Sequence, residues 1–171
     1  MQKSEPVRLA KYAIEEHISS GLVPVLPEWV TDHLRSSRAG CFVSLHNSDG
    51  SLRGCIGTIS PLSESLGLEI IRNAISASSR DPRFPPVKET ELHDLEITVD
   101  VLSEPEEATP KDLDPERYGV IVEKGWKKGV LLPDLEGIET AQEQLRIALL
   151  KAGIAEKDEY DLFRFTVKRY Y

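Results

Sequence analysis

Apolar residues recur at helical spacing in some stretches of this chain and alternate with polar ones in others. Leu9, Ala10, Ala13 and Ile14 form one stripe of a helix that Ser4 can cap, with Pro6 in its opening turn and Gly21 as its stop. After Pro24 and Pro27 a short helix is expected around Trp29 to Arg35. Leu66, Ile70, Ile71, Ala74, Ile75 and Ala77 make the apolar face of a further helix, capped by Ser63 and ended near Arg80 by Pro82. Thr140 with Glu143 reads as a capping box for a helix that buries Leu145 and closes at Gly153. Strand patterns stand between these. Cys41 to His46 runs up to the turn Asn47-Ser48-Asp49-Gly50, and Leu52 opens a second arm. Leu95, Ile97, Val99 and Val101 alternate with Glu96, Thr98 and Asp100. Tyr118 to Glu123 and Gly129 to Leu132 read as a hairpin across Lys124 to Lys128, and Phe163, Phe165 and Val167 alternate in a closing strand. Hairpins interleaved irregularly with helices predict an α+β fold, antiparallel sheets with helices packed on them.

The arm Leu52-Arg53-Gly54-Cys55-Ile56-Gly57-Thr58 holds the densest chemistry. Glycine weakens a strand interior, so two of them around a cysteine mark a bulge or a close approach to the backbone. If His46 faces Ser51 across a four-residue loop, Ser44 stands opposite Arg53 and Phe42 opposite Cys55. One face then carries Phe42, Ser44, His46, Arg53 and Cys55, with Gly57 leaving it open. The other carries Cys41, Val43, Leu45, Leu52 and Ile56 toward the core. A guanidinium beside a thiol favours the thiolate, which makes Cys55 the candidate nucleophile and Arg53 its activator or an anion-binding group. His46 lies about four strand rises of ~3.3 Å from the level of Cys55, too far for a proton-transferring dyad. The same separation, and the lack of a zinc-ligand spacing, argue against a metal, and neither glycine fits a phosphate-binding loop.

These segments carry a resemblance. The run Leu52 to Thr58, the later Asp81-Pro82-Arg83-Phe84-Pro85-Pro86, Gly129-Val130-Leu131-Leu132-Pro133 and Lys151-Ala152-Gly153 are similar to the signature segments of the AMMECR domain family. Within it the chain resembles the short prokaryotic form called AmmeMemoRadiSam system protein A. Where Pro133 continues as Asp134-Leu135-Glu136-Gly137-Ile138, it departs from the eukaryotic branch. The resemblance implies one AMMECR-type domain over residues 1–171, made of two small, closely packed subdomains with a groove between them. It also implies association with a Memo-type protein and a radical-SAM protein. It supplies no established reaction and no cofactor.

Composition fits an ordinary globular domain. The chain has 171 residues, 40% of them hydrophobic, enough for a real core. No apolar run is long enough to span a bilayer and the N-terminal segment lacks a secretory pattern, so no membrane partner is expected and the cytoplasm is the default location. Two cysteines outside any paired spacing fit a reducing compartment. A formal charge of −8 repels phosphate backbones and sets nucleic acid aside.

Each candidate has a purely structural alternative. Cys55 could be a small buried hydrophobe, as Cys41 is expected to be. The three prolines of the segment 81–86 could simply hold it extended, with Phe84 anchored in the core. Its functional reading aims Asp81 and Arg83 at the groove; alternatively Asp81 pairs with Arg83 or Arg80 as a surface ion pair of little worth. The binding set is therefore Arg53, Gly54, Gly57, Ser44, Asp81 and Arg83, with Cys55 as the catalytic candidate. Because no complete set of acid, base and nucleophile assembles, a binding or accessory component of a multi-protein system is preferred. The alternative is a small enzyme or modified carrier that uses Cys55 as a reactive thiolate on an unidentified small molecule.

Overall fold

The structure is a computed structural model that describes residues 3–171. The fold is α+β, in two compact units. One runs through Leu102 and also takes Lys168–Tyr171; the other is Ser103–Val167. In the first, α1 (Glu5–Ser20), α2 (Asp32–Ser36) and α3 (Leu66–Ser79) accompany a sheet ordered β2-β1-β3-β8, from β1 (Cys41–His46), β2 (Leu52–Thr58), β3 (Glu96–Leu102) and β8 (Val167–Tyr170). The second unit carries α4 (Ala141–Ala152) and a sheet ordered β4-β7-β5-β6, from β4 (Glu106–Glu107), β5 (Gly119–Lys124), β6 (Lys127–Leu131) and β7 (Asp161–Phe165). Among the described residues no helix is long and apolar enough to cross a membrane.

In the first unit, Leu9, Ala10, Ala13 and Ile14 of α1 and Ile70, Ile71 and Ala74 of α3 are buried with Cys41, Val43 and Leu45 of β1 and Ile97 and Val99 of β3. The helical stripes do what their spacing predicts. Gly21 closes α1 in the left-handed region at φ 73°, its N–H donating to the His17 carbonyl. Two boundaries differ. The short helix starts at Asp32 rather than Trp29, because Thr31 is its N-cap and is itself fastened by the Glu5 carboxylate, at 2.6 Å to its amide and 2.9 Å to its hydroxyl. α3 is capped by Ser65, whose hydroxyl accepts from the Leu68 amide, while the Ser63 amide donates to Glu69 instead.

The β1–β2 register departs from the expected one by two residues in total. Asn47 and Ser51 close the turn with Gly50 at φ 82°, so His46 pairs with Leu52 instead of Ser51. Arg53 then bulges out, and beyond it Leu45 faces Gly54, Ser44 faces Cys55 and Phe42 faces Gly57. Two successive one-residue slips restore the parity of the faces, so Ser44 and Cys55 still share one. Leu52, expected in the core, is exposed because it lies before the bulge, on the side of His46. Neither glycine opens a space on the Cys55 face. A Cβ at Gly54 would collide with the Ala77 carbonyl of α3, and one at Gly57 with the Phe42 ring.

In the second unit Gly125, at φ 60°, and Trp126 make a two-residue turn, so the β5–β6 ladder extends to Lys124 opposite Lys127. α4 starts where Thr140 accepts from the Glu143 amide and ends at Gly153, φ 68°. Its buried residues are Gln144, Ala148 and Leu149; Leu145, expected there, is half-buried. Gln144 earns its place by donating to the Tyr118 carbonyl at 2.7 Å. The closing strand divides at Thr166 into β7 and β8, which belong to different sheets, and Leu162 and Phe165 rather than Phe163 are the buried residues of β7.

Two stability predictions follow from this packing. Ile71→Ala should cost about 2–5 kcal/mol and Leu145→Ala clearly less, measured by denaturant unfolding, because Ile71 is buried and Leu145 only half-buried. Gly54→Ala should cost about 1–3 kcal/mol although it adds a single methyl, because the obstacle is backbone that cannot rotate away; an unchanged midpoint would show that α3 does not press on β2.

Candidate functional site

β2 is an edge strand of its sheet, and the candidate residues gather on its outer side. Ser44 and Cys55 face each other across the ladder, and the Ser44 hydroxyl donates to the Cys55 sulfur at 3.2 Å. The thiol is half-buried.

Asp81 is positioned by the end of α3. The helix stops at Ser79, Arg80 is its C-cap, and Pro82 disfavours helical backbone for the residue before it. The Asp81 side chain is buried, and its Oδ2 accepts from the Cys55 amide at 2.9 Å. Arg83 grips the same carboxylate through Nε and Nη2, at 2.9 Å and 2.7 Å, and its backbone N–H adds a further bond at 3.1 Å. Nη2 also donates to the Cys55 carbonyl at 3.2 Å. One aspartate and one arginine thereby satisfy both outward-facing backbone groups of Cys55, as a neighbouring strand would. With Arg83 as the main cause, assisted by the two amides and opposed by burial, the Asp81 carboxyl is held well below its usual 3.8. The pair is not the weak surface bridge of the structural reading, because its acidic half is out of solvent.

Arg53 is not at the thiol. The bulge turns it out of the ladder, and its buried guanidinium donates to Glu91 at 2.8 Å and 3.2 Å and to the Pro85 carbonyl at 2.9 Å. The bond from Arg53 is the leading cause that lowers the Glu91 carboxyl. Its role is to strap the proline segment onto the hairpin, and the cation close to Cys55 is Arg83. Phe84 is half-buried, and the buried residue that fastens this stretch is Val87, just past the segment, whose amide donates to the Ser78 carbonyl at 2.7 Å. Gly54 and Gly57 serve packing, as described above. The structure thus brings together Ser44, Cys55, Asp81 and Arg83 and separates Arg53.

A second polar cluster escaped the sequence reading. Glu69 and Asn73, one helical turn apart on the buried face of α3, reach the ends of β1 and β2. Glu69 accepts from the Thr58 hydroxyl at 2.5 Å and from the Ser63 and Leu62 amides at 2.6 Å and 3.1 Å. Burial pushes its carboxyl up, but these donors outweigh it and the net direction is down. Asn73 donates to the Cys41 carbonyl at 2.9 Å and to the Thr58 hydroxyl at 3.1 Å. Burial pushes the Cys41 thiol up to about 12, so it is an inert core residue as expected. The signal was present: a glutamate and an asparagine four residues apart interrupt an otherwise apolar stripe. On the opposite face of the sheet Asp100, read as a solvent-facing strand residue, is buried and held by Arg169 through two bonds of 2.8 Å.

The Asp81 contacts carry a pH signature. A carboxyl lowered by folding contributes stability that is fully present above 3.8 and is lost as pH falls below it toward the depressed native value. Asp81→Asn should cost about 1–3 kcal/mol at pH 7, and the gap from wild type should close below pH ~4, measured by denaturant unfolding across a pH series. A gap independent of pH would assign the loss to shape rather than to the charge.

Comparison with known proteins agrees with this architecture. The AMMECR1 family model matches residues 7–170. A Thermotoga maritima protein is 54% identical over 96% of this chain and 95% of its own length. A Clostridium acetobutylicum protein is 48% identical over 99% of this chain, yet the match spans only 36% of that longer protein. The crystal structure of the uncharacterized protein PH0010 from Pyrococcus horikoshii superposes with a TM-score of 0.85 at 34% identity, covering 96% of this chain and 88% of its own. With its matched segment spanning nearly the whole sequence, the chain belongs to the AMMECR1 family.

Proposed function

We propose that this chain is a cytoplasmic binding or accessory component of a multi-protein system that includes a Memo-type protein and a radical-SAM protein. The observation that carries this reading is that the two charged groups bonded to Cys55, Asp81 and Arg83, hold each other, while Arg53 is turned away to Glu91. Such ion pairs fix the shape of a surface, and a charge already paired is less able to activate a nucleophile or receive an anion. His46, opposite Leu52 at the turn end of the hairpin, is no base for the thiol. A protein in which this domain fills 36% of a longer chain supports the same reading, since a domain joined to others commonly acts on or through them.

The enzymatic alternative has in its favour the Ser44 hydroxyl directed at a half-buried sulfur and the Arg83 guanidinium bonded to the Cys55 carbonyl. A Cys55→Ser variant separates the two. Titrated calorimetrically with purified Memo-type and radical-SAM proteins, wild type and Cys55→Ser should bind with affinities within about twofold, a difference of well under 1 kcal/mol. Loss of binding in the variant, or a covalent adduct on Cys55 found by mass spectrometry after incubation with metabolite extract, would favour the reactive thiol.

A further inference from the structure

The candidate site leaves unused an open groove along α3. It has a volume of about 500 Å³ and is lined by Val23, by Leu62 and Glu64 ahead of the helix, by Leu68 and Arg72 on it, and by Arg80 just past its end. Val23 and Leu62 are 66% and 62% exposed, and the neighbours Leu22 and Val25 are 69% and 78% exposed. Four large apolar side chains in solvent on two short segments are more than scattered exposure explains.

This wall is rigid. Pro24 and Pro27 restrict its backbone, the Leu22 amide donates to the Ser20 hydroxyl at 3.1 Å, and the Leu22 carbonyl bonds the His17 ring at 2.9 Å. An apolar surface held in place before any partner arrives loses little entropy on binding. The charges along the groove are equally specific. Arg72 and Arg80 have no ion pair among the described residues, on a chain whose formal charge is −8. They lie eight residues apart in sequence, about 12 Å along a helical axis at ~1.5 Å per residue.

We propose that this groove docks an acidic amphipathic helix of a partner protein. Apolar residues of that helix, spaced i, i+3 and i+4, cover Val23, Leu62 and Leu68. Carboxylates seven or eight residues apart, roughly two helical turns, meet Arg72 and Arg80. Glu64 disfavours a carboxylate at its end of the groove and so gives the helix a direction. The inference rests on the binding-module reading and names the surface that reading needs.

The test uses the full chain, immobilised and panned against a displayed library of helical peptides of about 16 residues, long enough to follow α3. Enrichment of peptides with an apolar stripe and two carboxylates at that spacing is expected. Affinity of the synthesised winner, followed by fluorescence anisotropy, should fall about tenfold or more in the Arg72→Glu, Arg80→Glu double variant and several-fold in Leu62→Ser, and stay unchanged in Trp126→Ser, an exposed side chain that is no part of the groove lining. Unfolding midpoints confirm that the variants are intact, and the Arg72→Lys, Arg80→Lys pair, which keeps both charges, should retain most of the binding. No enrichment, enriched peptides without the acidic pattern, or equal binding by the Glu double variant would overturn the proposal. Such a result, with Memo-type or radical-SAM proteins still binding in the calorimetric titration, would discard the groove and leave the module reading standing.

Discussion

The contact between the α3 backbone and β2 at Gly54 organises the first unit. No side chain fits between that strand position and the Ala77 carbonyl, so helix and sheet meet at a distance that only glycine permits. The approach brings the C-terminal turn of α3 onto the edge strand, and the chain leaves the helix within reach of Cys55. Pro82 then takes Asp81 out of helical geometry where its carboxylate can accept the Cys55 amide. A glycine chosen for packing therefore places an aspartate that closes a sheet edge.

That closure has a physical rationale of its own. An edge strand presents N–H and C=O groups to solvent and to other chains, and proteins protect such edges with charge, bulges or cover. Here all of these act on one short strand. Asp81 and Arg83 bond the amide and carbonyl of Cys55, the Arg53 bulge interrupts the ladder, and the proline segment is strapped on through Glu91 and the Pro85 carbonyl. Prolines suit the position because they donate no hydrogen bond that would go unmet. The thiol next to this arrangement receives one hydroxyl donor from Ser44, and the surrounding charges balance one another before any ligand arrives.

The polar cluster of Glu69, Asn73, Thr58 and Cys41 answers a different need. Where α3 begins over the ends of β1 and β2, the loop leading into the helix leaves amides at Leu62 and Ser63 without strand or helix partners. A buried carboxylate collects them, and its charge is tolerable because several donors converge on it. Asn73 extends the same network to the Cys41 carbonyl. The cluster is a registry device for the helix start, and Arg169 against Asp100 serves the neighbouring β3–β8 edge in the same manner.

Local pattern determined much of this protein. The stripe of α1, the apolar face of α3, the stops at Gly21 and Gly153, both hairpins and the α+β class were all legible, because capping, periodicity and turn chemistry act over a few residues. What lay beyond the sequence depended on partners distant along the chain. The bulge at Arg53 is decided where strand twist, turn closure and Glu91, 38 residues away, are satisfied together. The space beside Gly57 is filled by Phe42 from the facing strand, and Thr166 divides the last strand between two sheets, although its alternation reads as continuous. A side chain's face follows from its neighbours in sequence, but the group that meets it there is set by tertiary packing, which is why the cation at Cys55 is Arg83 and not Arg53.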